Sequence, residues 1–144
     1  MRKMLLIISA FLALSLTLSA QERVSSSVLV IPVEFSDVKF ENKNVKSILT
    51  DIFIGTSHPE SSVSDYLRDN LSALYDFEFQ IIDVVTLSNP MSYYGGNSEG
   101  ADTNLKAFVQ DATFIADTLG VDFSIYDSDS DGVADNIFLI YAGY

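Results

Sequence analysis

The stretch Asp127–Asp135 restricts the possible folds of this chain more than any other. It reads Asp-Ser-Asp-Ser-Asp-Gly-Val-Ala-Asp, so three carboxylates stand at alternate positions, a glycine follows the third, and a fourth closes the stretch. A tightly turned backbone can point alternate side chains towards one centre, where carboxylates repel one another unless a cation lies between them. Because Ca²⁺ takes roughly six to eight oxygen ligands, we predict a structural calcium loop. The predicted ligands are the side chains of Asp127, Asp129, Asp131 and Asp135 and the backbone carbonyl of Val133.

Two known calcium modules do not fit this stretch. An EF-hand loop requires a bidentate acid at its twelfth position and a helix after it, but the twelfth residue here is Phe138, which lies in a predicted strand. A dockerin-type module repeats its loop and continues into a helix, whereas this chain has one copy. Two alternatives remain: a calcium loop that braces the turn into a strand, and a solvated acidic turn whose aspartates cap backbone groups.

The N-terminal end has the pattern of an export signal. Arg2 and Lys3 precede an apolar run from Met4 to Leu16, and Ala20 offers a small residue for cleavage. The apolar run is shorter than the roughly 20 residues that a membrane span needs. We therefore expect residues 1–20 to be a cleaved signal peptide rather than an anchor, and the protein to be secreted. Residues 21–27 form a polar lead-in.

Charge and cysteine content exclude several classes of partner. Signal cleavage removes two of the eight basic residues, which leaves six against 20 acidic residues and a net charge of −14. Such acidity argues against nucleic acid, whose binding requires Lys and Arg, and against an anionic membrane surface. The chain has no cysteine, so an exported domain of this size must be stabilised by its core, by bound metal, or by both.

Apolar patterning predicts the strands. The run Val28–Phe35 is typical of a strand covered on both faces, and Pro32 requires one side of that strand to be free or bulged there. Alternation from Phe77 to about Leu87 predicts a half-buried strand. Ile137–Tyr141 reads as another buried strand. Between them, Met91–Asn97 is predicted to be a loop whose aromatic side chains pack against the sheet.

Helical periodicity predicts three helices between these strands. They are a helix over Val45–Phe53 capped by Asn44, a helix capped by Ser62 with Asp65 completing a capping box, and a helix from Asp102 or Thr103 to Leu119 with Gly120 after it. Strands interleaved with helices favour an α/β sheet with covering helices over a β-sandwich.

Sequence motifs for catalysis are missing. Zinc hydrolysis uses about three His, Cys or carboxylate ligands, commonly in H-E-x-x-H, and a Ser-His-Asp arrangement also needs a histidine. His58 is the only histidine, and it lies in a polar loop beside Pro59. We interpret it as a surface residue and predict that this chain alone is inactive.

Several segments resemble the immune inhibitor A-type secreted metallopeptidases, a zincin family. The most specific is Asp122–Gly143, which contains the acidic stretch and the final strand. Ser62–Asn70 resembles the family's capped helix, although Leu71–Ala73 departs from the Ser-Tyr-Gly that members tend to have there. Val28–Asp37 and Tyr93–Gly96 also match in order. The resemblance covers nearly all of the chain after residue 27.

The resemblance implies that residues 28–144 form the N-terminal part of a zincin-like peptidase domain, an α/β fold with a twisted mixed sheet and covering helices. The intact protein would hydrolyse protein or peptide substrates with Zn²⁺ bound by an H-E-x-x-H helix downstream of the last strand. That helix is expected beyond Tyr144, so no catalytic or zinc-binding residue is assigned here, and we expect a truncated chain. The alternative is a non-catalytic secreted calcium-binding domain for adhesion or binding.

Overall fold

The computed structural model describes residues 24–55, 57, 61–71, 75–98 and 101–143. The predicted signal peptide, the first three residues of the lead-in and His58 lie outside the described residues. The strands are β1 (Val24–Glu34), β2 (Tyr75–Ile81), β3 (Val85–Thr86), β4 (Asn97–Ser98), β5 (Ala101–Asp102) and β6 (Ile137–Tyr141). The helices are α1 (Val45–Ile54), α2 (Val63–Asn70), α3 (Met91–Tyr94) and α4 (Leu105–Thr118), with a 3₁₀ helix at Phe123–Tyr126.

Strand β1 is the centre of an open, parallel sheet. It pairs with β2 from Val24 to Val30 and with β3 at Val33 and Glu34. It pairs with β6 from Leu29 to Val33, on the opposite side. β4 and β5 form a separate antiparallel pair. The prediction of an α/β fold is confirmed. The sheet is parallel rather than mixed, because the connection from β1 to β2 and the connection from β3 to β6 both pass through helices, which return the chain to the same end of the sheet.

Pro32 lies where no neighbouring strand requires a backbone N–H from β1 on the side of β2 and β3. Alternate β1 residues face β2 and β3: the carbonyl of Val30 accepts from the Ile82 amide at 3.2 Å, and the carbonyl of Glu34 accepts from the Leu87 amide at 2.7 Å. Pro32 lies between them, opposite the gap between β2 and β3. The prediction that one side of the strand is free at Pro32 is confirmed, and the predicted strand from Phe77 to Leu87 is interrupted at the same level.

The two faces of β1 support two separate hydrophobic clusters. Odd-numbered residues such as Leu29 and Ile31 are fully buried against α4, whereas Val28 and Val30 pack against α1 and β2. The first cluster includes Leu29, Ile31, Val33, Phe35, Phe108, Ala112 and Ala116, and the second includes Val28, Val30, Val45, Leu49, Phe53, Phe79 and Ile81. This double cover explains why the sequence of β1 is a continuous apolar run rather than an alternating one.

Local signals define two of the helices. At α2 the Ser62 hydroxyl accepts from the Asp65 amide at 3.2 Å, and the Asp65 carboxylate accepts from the Ser62 amide at 3.3 Å, which confirms the predicted capping box. At the end of α4, Gly120 has φ +89° and donates to Asp117, while Val121 donates to Ala116. These two bonds form a Schellman motif.

Other elements differ from the prediction. α4 begins at Leu105 after the N-cap Asn104, two to three residues later than predicted. The predicted loop after Pro90 contains the short helix α3, in which Tyr94 is buried and Tyr93 is 45% exposed. Tyr94 therefore packs against the sheet, as predicted for this segment.

The prediction that the final strand is buried is wrong, because β6 lies at the edge of the described sheet and its side chains are half-buried or exposed. In the described ranges no strand pairs with its outer side, and Phe138 and Tyr141 are 43% and 51% exposed. None of the helices described above combines the length and apolar character that spanning a bilayer requires.

Candidate metal-binding loop

The acidic stretch is a loop whose two ends are joined at Tyr126. The Asp135 amide donates to the Tyr126 carbonyl at 2.8 Å, so the chain returns to its starting point before it enters β6. Tyr126 is itself 2% exposed, and its hydroxyl donates to the side-chain oxygen of Gln80 in β2 at 2.7 Å. Burial raises the pKa of Tyr126, and the nearby carboxylate of Asp122 adds to the increase. The residue before the loop is therefore held in place by burial and by its hydrogen bond to β2.

The exit of the loop is attached to β1. The Leu29 amide donates to the Asn136 carbonyl at 3.1 Å, and the Asn136 side-chain amide donates to the Ser26 hydroxyl at 3.3 Å. Both contacts precede the first residue of β6. The loop conformation consequently determines how the chain approaches the sheet edge.

Backbone amides inside the loop point at the Asp127 carboxylate. Its Oδ2 accepts from the Gly132 amide at 2.9 Å, and its Oδ1 accepts from the Asp131 amide at 3.1 Å. The backbone reaches this arrangement through positive φ angles, +61° at Ser130 and +88° at Gly132. A positive φ is costly for a side chain with a Cβ, which explains the glycine after the third aspartate.

Three of the four predicted carboxylates come together. One oxygen from each of Asp127, Asp129 and Asp135 lies within 4.8 Å of the other two. Asp127 is partly buried and the other two are exposed. At such separations like charges repel by about 1 kcal/mol per pair even in bulk water, so a cation between them relieves a real cost.

The Asp131 carboxylate lies outside the group of three, and the predicted role of the Val133 carbonyl stays a prediction. The Asp131 Oδ1 accepts from the Val133 amide at 2.8 Å, and this carboxylate does not belong to the group of three. All three alternate aspartates accept hydrogen bonds from nearby backbone amides. Sequence spacing does not report which of their remaining carboxylate oxygens come close together in space. The carboxylate group that could hold a cation among the described residues therefore has three members rather than four.

Ser128 contributes to the loop in a way that sequence reasoning missed. Its amide donates to the Asp135 Oδ2 at 2.8 Å, and its hydroxyl donates to the same atom. These hydrogen bonds lower the pKa of Asp135. An ionised Asp135 is the form that a metal ligand requires. The only sequence signal was a serine directly after an acidic residue, which is common in turns.

The donor set fits a hard cation and does not fit zinc. Carboxylate oxygens are preferred by Ca²⁺, and backbone carbonyls or water can complete its coordination. Zinc sites instead use His nitrogen and Cys sulfur in addition to carboxylates. The sequence has no cysteine, and its one histidine lies outside the described residues.

Neither a scan against protein-family models nor a search of curated proteins finds a match to this chain.

Proposed function

We propose that the loop Asp127–Asp135 binds one calcium ion through Asp127, Asp129 and Asp135. The observation that supports this proposal is the convergence of three carboxylate oxygens within 4.8 Å. The loop contains four acidic residues and no basic one, so its own side chains offer no internal counter-charge. A bound cation removes the repulsion and stabilises the folded state by mass action.

The role of this ion is structural. The loop joins the 3₁₀ helix to β6, and its ends are held by Tyr126 and by β1 through backbone hydrogen bonds. An ion that rigidifies the loop also restrains the first residue of β6. Because Asp129 and Asp135 are exposed, the ion can exchange with solvent.

Calcium titration with a thermal melt tests the proposal. We expect added Ca²⁺ to raise the melting temperature and a chelator to reverse the increase. Asp129→Ala should abolish the response, whereas Asp117→Ala, which removes an exposed aspartate from α4, should preserve it. If the melt is the same with Ca²⁺ and with chelator, the loop is the solvated acidic turn instead.

We also propose that the chain is the N-terminal part of a secreted zinc-dependent metallopeptidase domain. The resemblance of Ser62–Asn70 and Asp122–Gly143 to the immune inhibitor A-type family supports this proposal. The described α/β fold, with the acidic loop leading into a parallel strand, is compatible with it. The residues present here do not fit a zinc site, so zinc binding and peptide hydrolysis would require residues that are not among these 144.

The reading frame after codon 144 distinguishes the two hypotheses for the whole protein. An H-E-x-x-H motif within a few dozen codons supports the peptidase. A stop codon together with a stably folded product supports the adhesion or binding domain. In either case we expect the purified chain to show no proteolysis on addition of Zn²⁺, and activity that a zinc chelator abolishes would contradict our assignment.

A further inference from the structure

A second candidate site lies at the carboxyl ends of β1 and β6, away from the acidic loop. It is a crevice of about 220 Å³, here called the aromatic crevice. Its lining residues include Phe35, Tyr94, Asp102, Leu105, Phe108 and Tyr141. None of these residues belongs to the loop Asp127–Asp135, so a ligand in the crevice would bind independently of calcium.

The topology of the sheet favours a ligand site at this place. β1 lies between β2 and β6, and helices α1 and α4 cover opposite faces of it. From β1 the chain runs over the face covered by α1 to β2, on one side of β1. It later runs over the face covered by α4 to β6, on the other side of β1. In open α/β sheets, ligands bind outside the carboxyl ends of the strands where the strand order reverses in this way.

Aromatic rings form the floor of the crevice. Phe35, Tyr94 and Phe108 are each less than a tenth exposed. The Tyr94 hydroxyl donates to Asp111 at 2.8 Å and accepts from the Asn89 side chain at 3.3 Å, which holds the ring in place. Burial, followed by the hydrogen bond with Asp111, raises the pKa of Tyr94. The ring therefore remains a neutral wall of the crevice.

The rim is open and carries one charge. Tyr141 and Leu105 are 51% and 55% exposed, and the Tyr141 ring stands at 85° to Phe108 with 5.9 Å between centroids. Asp102 is the one charged residue of the lining, and within the described ranges no ion pair involves it. A carboxylate beside an aromatic crevice favours an alkylated cation, because the carboxylate pairs with the charge and aromatic rings attract cations.

We propose that the aromatic crevice binds a small organic cation of the quaternary ammonium class. The apolar walls accept the alkyl groups of such a ligand, and the aromatic faces and Asp102 stabilise its charge. The net charge of the chain, −12, favours cations over anions.

Titration of the full chain with choline tests the proposal. Binding is measured by residue-resolved NMR shifts at constant ionic strength. The matched probe is 3,3-dimethylbutan-1-ol, which has the shape of choline without its charge. We expect saturable shifts at Tyr94, Phe108 and Tyr141 with choline, and binding of the neutral probe that is about tenfold weaker. Absence of saturable shifts, or equal binding of the two probes, would overturn the proposal.

Two variants locate the interaction. Asp102→Asn and Tyr141→Leu should each weaken choline binding about fivefold. Asp117→Asn and Tyr66→Leu, which change exposed residues outside the crevice, should leave it unchanged. Circular dichroism checks that each variant is folded. If Tyr141→Leu unfolds, the Asp102→Asn result decides, and choline affinity unaffected by that change would refute the assignment.

Discussion

The hydroxyl of Tyr126 donates a hydrogen bond to the side-chain oxygen of Gln80 at 2.7 Å, across 46 positions of sequence. This contact attaches the residue before the acidic loop to β2, on the far side of β1 from β6. The backbone carbonyl of Tyr126 accepts a hydrogen bond from the Asp135 amide. One buried residue thus positions the start and the end of the candidate metal loop.

Replacement of Tyr126 by phenylalanine tests this anchor. Tyr126→Phe removes the hydrogen bond to Gln80 and keeps the buried ring, so we expect the free energy of unfolding to fall by about 1 kcal/mol. Urea denaturation measures the change. Tyr66→Phe is the control, because the Tyr66 side chain is 62% exposed. Equal effects of the two substitutions would show that the Gln80 contact contributes nothing.

Alkaline pH should affect stability through the same residue. The folded-state pKa of Tyr126 is raised above its ordinary value of 10.0, so its contribution is complete below about pH 10 and is lost as pH rises through the folded-state pKa. We expect Tyr126→Phe to lose less stability than the wild type over this range. Tyrosinate absorbance and melting temperature, followed together, measure the effect, and identical alkaline profiles would contradict it.

Asp127 and Asp131 should differ in their importance for calcium. Because Asp127 belongs to the carboxylate group and Asp131 turns towards the Val133 amide, Asp127→Asn should weaken calcium binding about tenfold or more. Asp131→Asn should weaken it only about twofold. Calorimetric titration of both variants provides the comparison. Equal losses would mean that Asp131 turns inward when the ion binds, as the spacing of the sequence predicted.

Acid should weaken the loop through Asp135. Hydrogen bonds from Ser128 lower its folded-state pKa below the ordinary value of 3.8, so the stabilisation is present above about pH 4 and is lost as pH falls through the folded-state pKa. Ser128→Ala removes the hydroxyl bond and should raise the pKa of Asp135. Carboxyl carbon NMR titration measures that pKa, with Ser124→Ala as a control that should change Asp122 alone. An unshifted Asp135 in Ser128→Ala would contradict the assignment.

Gly120 should be more sensitive to substitution than Gly95. Gly120 has φ +89° with open space around its Cβ position, so Gly120→Ala should cost about 1 kcal/mol from backbone strain alone. Gly95 has φ −95°, and the nearest atom to its Cβ position is 3.5 Å away, so Gly95→Ala should be nearly neutral. Chemical denaturation compares them. Similar stability of the two variants would argue against the Schellman motif.

Sequence patterns predicted the elements whose causes are local. Ser62 and Asp65 are three residues apart, and a capping box needs only that spacing and a helix after it. Gly120 ends α4 because it tolerates a positive φ, whatever packs nearby. Val28–Phe35 was identified as a doubly covered strand because length and continuous apolar character require cover on both faces.

In the acidic loop, sequence patterns predicted the residue types but not all of their contacts. Its residue types and spacing predicted a cation site, and the structure brings Asp127, Asp129 and Asp135 together. The orientation of Asp131, the hydrogen bonds of Ser128 and the attachment to Gln80 depend on the path of the backbone and on β2. Gln80 is 46 positions from Tyr126, and Ser128 is seven positions from Asp135, so no periodicity of the sequence reports these contacts.

The sequence by itself determined the α/β class, the capping box of α2, the glycine that ends α4 and the acidic composition of the loop, because each follows from neighbouring residues and their conformational preferences. Only the tertiary structure decided that β6 has no strand on its outer side within the described part of the chain, that Tyr94 is buried and that three carboxylates rather than four converge. The physical reason is that burial and coordination depend on which surfaces meet in space. An apolar strand has the same sequence whether one or both of its edges are paired.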